Sequence, residues 1–337
     1  MNSISIPLAV KMGRADALPE FIRLAKEAGM DIHAPDASGK TPLHIACMRS
    51  DDRSIEILLK HGANPNTPDG NGAMPLHIAC QTGNIKCIKL LIDNGADVNL
   101  RDLRFQELPI HACYNGGAAH RFVSIRHLIE AGSEVNAKDR HHQTPLHYEC
   151  NDDDTELVKI MLAAGADPNM PDVNKKTPLH LAIEDQKDII ATILLNAGAN
   201  IHAKDIHGRS PLVSCIERRH PQLLEHMLEL GMPRPMKTDL GYPLIDEVLS
   251  KRNKGVKDAQ MILTLMDFMD MKPSDKIGGK SLMSRFYDTQ ARDLIKQAIR
   301  QERSETMAGS IENAMGDTAS EDMDEAPSRS ASASPSL

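Results

Sequence analysis

The sequence predicts an all-α solenoid of helix-turn-helix-loop repeats, and three observations predict it. The stretch TPLHIAC from Thr41 returns as MPLHIAC from Met74, LPIHACY from Leu108, TPLHYEC from Thr144, TPLHLAI from Thr177 and SPLVSCI from Ser210. Its prolines, at 42, 75, 109, 145, 178 and 211, step by 33, 34, 36, 33 and 33 residues. A glycine closing an apolar run falls at Gly29, Gly62, Gly95, Gly132, Gly165, Gly198 and Gly231, every step being 33 except one of 37. Two markers keeping one period of that length identify a repeat array.

Each half of the repeat has a physical reading. Thr41 reads as a helix N-cap whose hydroxyl accepts from an orphan backbone N–H, and Pro42 as the first helical residue, where its missing N–H costs nothing. His44 then falls on the third helical position, within the apolar stripe Leu43, Ile45, Ala46 and Cys47. A second helix carries Ile55, Ile57, Leu58 and Leu59 and stops at Gly62, a residue suited to a left-handed C-cap. Helices this short cannot bury an apolar face alone, so neighbouring repeats must stack into one core.

The T-P-L-H stretches and the segments GANPN, GADVN, GADPN and GANIH resemble the ankyrin repeat family. That resemblance implies an L-shaped unit with a hairpin-like loop across the helix pair, a histidine that ties loop to helix start, and a function in binding other proteins. It also implies binding through the variable loop tips and the concave surface that follows the first helices.

Residues 5–300 read as the solenoid, in about eight repeats. Residues 1–33 form an atypical capping repeat, with Leu8 to Val10 in one helix and Phe21 to Ala25 in the next. Residues 34–234 hold the clear repeats; Met74 replaces a capping Thr, at a cost of about 1 kcal/mol, and Val213 replaces the histidine in the last. The repeat from Leu100 departs most, with one extra residue in its loop and three more in the turn NGGAAHRFVS, Asn115 to Ser124. Residues 235–300 are divergent repeats, one opened by Tyr242-Pro243-Leu244 with a helix from Met261 to Phe268. The other is opened by Lys280-Ser281-Leu282-Met283 and ends in a helix from Ala291 to Arg300. Residues 301–337, rich in Ser and acids, read as a disordered tail. In it Thr318 and Ser334 fit short kinase patterns that a serine-rich tail matches by chance.

Composition narrows the function classes. Aromatics are 3% and Trp is absent, so small and aliphatic side chains must fill thin helical layers. The net charge is −8, but residues 301–337 hold eight acids against two arginines, leaving the remainder with no bulk preference and arguing against direct nucleic acid binding. The cysteines follow the repeat: Cys47, Cys80 and Cys150 share a slot, Cys113 and Cys215 occupy the slot before it, and Cys87 lies in a second helix. Equivalent slots stand too far apart for disulfides, so reduced thiols and a reducing compartment are expected. No signal peptide or membrane span is legible, and the expected location is cytoplasmic or nuclear.

Chemical motifs are weak. His44, His77 and His147 each precede a Cys by three residues, but His111 and His180 keep the place without one, and pairs strung along a solenoid do not converge on a metal. No phosphate loop or nucleophile motif is present, so neither enzyme activity nor a cofactor is expected. Asn66, Asn99, Asn136 and Asn169 resemble positions hydroxylated in some ankyrin proteins, and read first as loop stabilisers. Glu149 is a local conflict, since it stands in the slot of Ala46, Ala79 and Ala182. Reaching outward, it would join Asp152, Asp153 and Asp154, with Glu184 and Asp185 one repeat on, in an acidic patch on the concave face. Along the tips run Arg101, Arg104 and an exposed Phe105, then Arg140 and His141, then Lys175 and Lys176, then His207 and Arg209. The sequence therefore reads as an intracellular adaptor or scaffold, with an inhibitory subunit as the alternative, and the acidic patch would suit a partner carrying a basic segment.

Overall fold

At the start of each clear repeat the chain runs extended and turns helical at the proline, as the capping chemistry dictates. In the computed structural model, α1 (Ile6–Lys11) and α2 (Leu18–Glu27) form the first repeat. The pairs α3 (Pro42–Met48) and α4 (Asp52–Lys60), then α5 (Pro75–Thr82) and α6 (Ile85–Asp93), follow. Next come α7 (Pro109–Ala112) and α8 (Arg121–Glu130), α9 (Pro145–Glu149) and α10 (Thr155–Ala163), α11 (Pro178–Glu184) and α12 (Asp188–Asn196), then α13 (Pro211–Arg218). Described are residues 6–116, 120–152, 154–230, 248, 255–268, 276–277, 280–281, 286, 289–302 and 304–305. The contacts divide the chain into two parts, Met1–Arg218 and Arg219–Leu337.

In the first part, odd-numbered helices pack on odd and even on even, making two layers. Between them lie Leu43, Leu76, Ile110, Leu146, Leu179 and Leu212 from the first helices, and Leu58, Leu91, Leu128, Met161 and Leu194 from the second, all within 3% of complete burial. Asp51, Asn84 and Asp154 cap second helices by accepting the N–H of Ser54, Cys87 and Leu157. All six cysteines are buried thiols. Cys87 nevertheless places its Sγ 3.3 Å from that of Cys47, because a second-helix slot faces the first helix of the preceding repeat. Spacing between equivalent slots does not reveal that contact.

Two ladders stitch the repeats. The backbone N–H groups of residues 41, 74, 108, 144 and 177 donate to Nδ1 of His44, His77, His111, His147 and His180. Each imidazole must then carry its proton on Nε2, which donates to the carbonyl of Ala73, Glu107, Ala137, Lys176 and Arg209 at 3.0–3.2 Å, in the loop of the next repeat. Where Thr is present its hydroxyl adds a 2.8–2.9 Å bond to Nδ1; Met74 lacks that bond. The asparagine ladder works on the far side. Asn66, Asn99, Asn136 and Asn169 donate through Nδ2 to the carbonyls of Gly95, Gly132, Gly165 and Gly198. Through Oδ1 they accept from the N–H of Asp97, Glu134, Asp167 and Asn200. They stabilise loops as expected, and they do so between repeats.

The second part contains α14 (Pro221–Glu229) packed on α15 (Val256–Phe268). There the buried Asp258 accepts from Arg219 at 3.0 Å and from the Gly255 N–H at 3.0 Å. Helical residues 289–302 contain the stretch expected from Ala291 to Arg300. Lys280-Ser281, the start of the last expected repeat, pairs antiparallel with Lys276-Ile277, Ile277 opposite Lys280. Asp153, Tyr242-Pro243-Leu244, Leu282-Met283 and the tail from 306 lie outside the described residues.

Candidate protein-binding surface

Each interrepeat loop folds back on an aspartate. The N–H groups of Asp36, Asp69, Asp102, Asp139, Asp172 and Asp205 close hairpins onto the carbonyls of Lys40, Ala73, Glu107, Gln143, Lys176 and Arg209 at 2.9–3.0 Å. The carboxylates turn inward and accept backbone N–H groups from their own tips: His141 and Gln143 at Asp139, Asn174 and Lys176 at Asp172, His207 and Arg209 at Asp205. Burial pushes the Asp205 carboxyl up, but these bonds and the Arg209 guanidinium prevail and hold it below the usual range. Sequence reasoning passed over these aspartates although they recur in register, because one acid per loop, with unlike neighbours from loop to loop, makes a faint signal.

The hairpins are joined tip to tip. Gly70, Leu103, Arg140, Val173 and Ile206 donate their N–H to the carbonyls of Ser38, Asn71, Phe105, His141 and Asn174 at 2.9–3.2 Å. Every tip also contains a left-handed residue. Gly39, Gly72 and Gly208 hold that place in three, with φ of 75°, 79° and 76°, but Gln106, His142 and Lys175 hold it in the others, with φ of 56°, 57° and 57°. A side chain there costs on the order of 1–2 kcal/mol, so repeats four to six carry side chains where the backbone favours glycine. Strain of this kind clusters at functional sites.

Leu103, Val173 and Ile206, at equivalent tip positions, are 74%, 49% and 51% exposed. Phe105, expected exposed beside Arg101 and Arg104, is half-buried; Arg104 flanks its ring as expected, 4.8 Å from the centroid, but the second guanidinium, at 4.5 Å, is that of Arg140 in place of Arg101. Arg101 turns inward and donates to the carbonyls of Gln106 and Lys138 at 2.6 and 2.5 Å. Lys176 pairs with Glu184 at 2.5 Å, and Arg209 with Asp205 at 3.2 Å. Arg140 donates to His141 at 3.0 Å, while His141, Lys175 and His207 face solvent. On the tips of repeats four to seven the exposed formal charges are Arg104, Arg140, Lys175 and Lys204, all positive, above four buried aspartates.

The acidic patch is not built as expected. Glu149 does not reach outward: its side chain is 0% exposed, and the Arg121 guanidinium, from the repeat with the lengthened turn, comes within 3.4 Å of it. Burial pushes the Glu149 carboxyl up to about 7 against the opposing pull of Tyr114 and Arg121. Arg121 also binds Asp152 at 2.6 Å and covers the Tyr114 ring at 5.4 Å, and that ring stacks on Tyr148 with centroids 4.9 Å apart. Asp154 is committed as a helix cap, Glu184 is matched by Lys176, and Asp185 is exposed at the end of α11. A cation supplied by the inserted segment thus pairs with two of these acids, Glu149 and Asp152.

Between the tips and first helices of repeats two to four lies a groove of about 360 Å³, lined among others by Met48, Ile78, Gln81, Arg104, Phe105 and Glu107. The histidines that precede cysteines spend both ring nitrogens on the repeat ladder. Among the described residues no group of three His, Cys, Asp or Glu could hold a metal ion, and no helix is long and apolar enough to cross a membrane.

A family profile described as "Ankyrin repeats" matches in three copies, over residues 7–102, 110–205 and 146–239. The human protein "Ankyrin repeat and MYND domain-containing protein 1" is 39% identical over 67 residues, 16% of this chain and 7% of that protein, so the chain spans a small fraction of that relative's length. Among solved structures, "Crystal structure of the ankyrin repeat domain of Bcl-3: a unique member of the IkappaB protein family" superimposes with a TM-score of 0.59 at 22% identity, covering 66% of this chain and 97% of that one. At that identity the likeness concerns the fold.

Proposed function

Because the chain belongs to the ankyrin repeat family, we propose that it is a protein-protein interaction module, an adaptor or scaffold that docks a partner along the loop tips of repeats four to seven. The row of exposed Leu103, Val173 and Ile206 carries the reading. Isolated apolar residues on a surface are ordinary, but these three occupy one repeated position, each donating its N–H to the preceding tip. Covering such a side chain contributes up to about 1.5–3 kcal/mol, and a backbone already tied leaves little ordering entropy to lose on binding. The groove beside Phe105 extends the same surface.

The test compares wild type with Leu103→Ser/Val173→Ser/Ile206→Ser in capture and quantitative binding of partners from cell extract. Partners should weaken by at least about tenfold in the tip variant, equivalent to roughly 1.4 kcal/mol. Undiminished capture there, with loss in Asp152→Lys/Glu184→Lys, moves the site to the first-helix side. Adaptor and inhibitor separate by outcome: an adaptor holds two partners at once and leaves their activity intact, whereas an inhibitor lowers the activity of one on binding.

A further inference from the structure

Resting on docking at the tips, we infer that the partner presents an acidic segment interspersed with apolar side chains, not the basic segment the sequence alone suggests. Arg104, Arg140, Lys175 and Lys204 are the exposed formal charges there, Arg140 and Lys204 with contacts of their own within the chain, while the tip aspartates are buried under their own backbone N–H groups. The acids beyond the tips are largely answered within the chain, Asp152 by Arg121 and Glu184 by Lys176. A basic segment therefore meets like charge along the row. A polynucleotide would match the sign but not the apolar side chains, and Arg101, Lys176 and Arg209 are already bonded within the chain.

Register follows from geometry. Packed helices set neighbouring repeats about 8–10 Å apart, and a polyproline II segment advances about 9 Å in three residues with the same face presented. Apolar residues should therefore stand three apart opposite Val173 and Ile206, and six apart opposite Leu103 and Val173. At the intervening tip Arg140 lies over the Phe105 ring, so there the segment should present a carboxylate.

The experiment is selection of displayed random peptides, long enough to span four tips, on the full chain, with the recovered peptides then measured against Arg104→Glu/Lys175→Glu. Both positions are exposed; circular dichroism checks the fold, and Arg104→Gln/Lys175→Gln serves if charge reversal disturbs it. Expected peptides are enriched in Asp and Glu, with Leu, Ile, Met or Phe at spacings of six and then three residues and an acid midway in the longer gap. They should lose about tenfold or more in affinity to the charge-reversed chain, and weaken as salt shortens the screening length from about 10 Å at 0.1 M to about 3 Å at 1 M. Enrichment in Lys and Arg, or no charge bias, overturns the acidic partner. Docking at the tips survives that result if the same peptides still fail on Leu103→Ser/Val173→Ser/Ile206→Ser. Peptides indifferent to both variants overturn both readings. Displacement of the peptides by single-stranded RNA that binds more tightly makes the ligand a polynucleotide and overturns the peptide.

Discussion

Arg121 Nε stands 3.4 Å from Oε1 of Glu149, a carboxylate with no exposure to solvent. Breaking a buried pair from one side strands the other charge, at a cost of about 3–5 kcal/mol, while replacing both by apolar groups is often neutral. Arg121→Met should therefore lower the urea midpoint sharply well above pH 7, where the Glu149 carboxyl would have to stay ionised without its partner, and less at lower pH, where it is protonated. Glu149→Ala installs the residue found at Ala46, Ala79 and Ala182 and leaves Arg121 its 2.6 Å bond to Asp152, so it should cost less. The double variant should return to within about 1 kcal/mol of wild type. A double variant as unstable as Arg121→Met would show that lost packing, not the stranded carboxylate, sets the cost.

The histidine ladder should make stability fall in acid. Burial depresses the pKa of His44, His77, His147 and His180, and brings that of His111 to about 4. An unfolded histidine titrates near 6.5. The unfolded chain thus binds protons that the native state refuses, and the stability present above about pH 6.5 is lost as pH falls through the lower native values. Glu149 acts oppositely. With a native pKa of about 7, its added stability is fully present below the unfolded value of about 4.5 and is lost as pH rises through about 7. Five histidines outweigh one carboxyl, so urea midpoints should drop between about pH 6.5 and 4.5. The drop should steepen in Glu149→Gln, whose opposing contribution is gone; a midpoint flat across that window contradicts the account.

The asparagine ladder predicts a local loss. Asn136 spans the seam with two bonds, to the Gly165 carbonyl at 2.9 Å and from the Asp167 N–H at 2.8 Å. Exposed bonds of this kind contribute about 0.5–1.5 kcal/mol each, so Asn136→Ala should cost roughly 1–3 kcal/mol. Amide exchange reads it directly: Asp167 should lose protection while amides inside α9 and α10 change little. Unchanged exchange at Asp167 would mean that another acceptor holds that amide.

How much was legible depends on whether the cause is local. Thr41, Pro42 and Gly62 act within a few residues of themselves, so capping, helix starts and period could be read from the chain. Glu149 could be recognised as a conflict but not resolved, because its answer is Arg121, which an inserted turn brings across from the preceding repeat. The basic residues of the tips were visible as a stripe. Which of them stay exposed was not, since Arg101 and Lys176 are engaged by groups that only folding brings near. Cys87 beside Cys47 escaped for the same reason: the contact joins unlike slots. The left-handed tip residues have no letter of their own, and Lys175 reveals its backbone only when aligned with Gly72 and Gly208.

That backbone carries a trade between stability and binding. Lys175 and His142 hold φ of 57° where Gly39, Gly72 and Gly208 stand in other repeats. Glycine there relieves on the order of 1–2 kcal/mol of steric cost and gives back roughly 0.5–1 kcal/mol through the freer unfolded chain. Lys175→Gly and His142→Gly should each therefore stabilise the fold by about 0.5–1 kcal/mol net. A stabilising change that natural sequence has not taken points to a use for the side chain. Both variants should accordingly bind the partner several-fold more weakly while melting at a higher temperature. Thermal unfolding and binding measured on the same preparations decide it: stabilisation with undiminished affinity would leave the strained tips without a role in recognition.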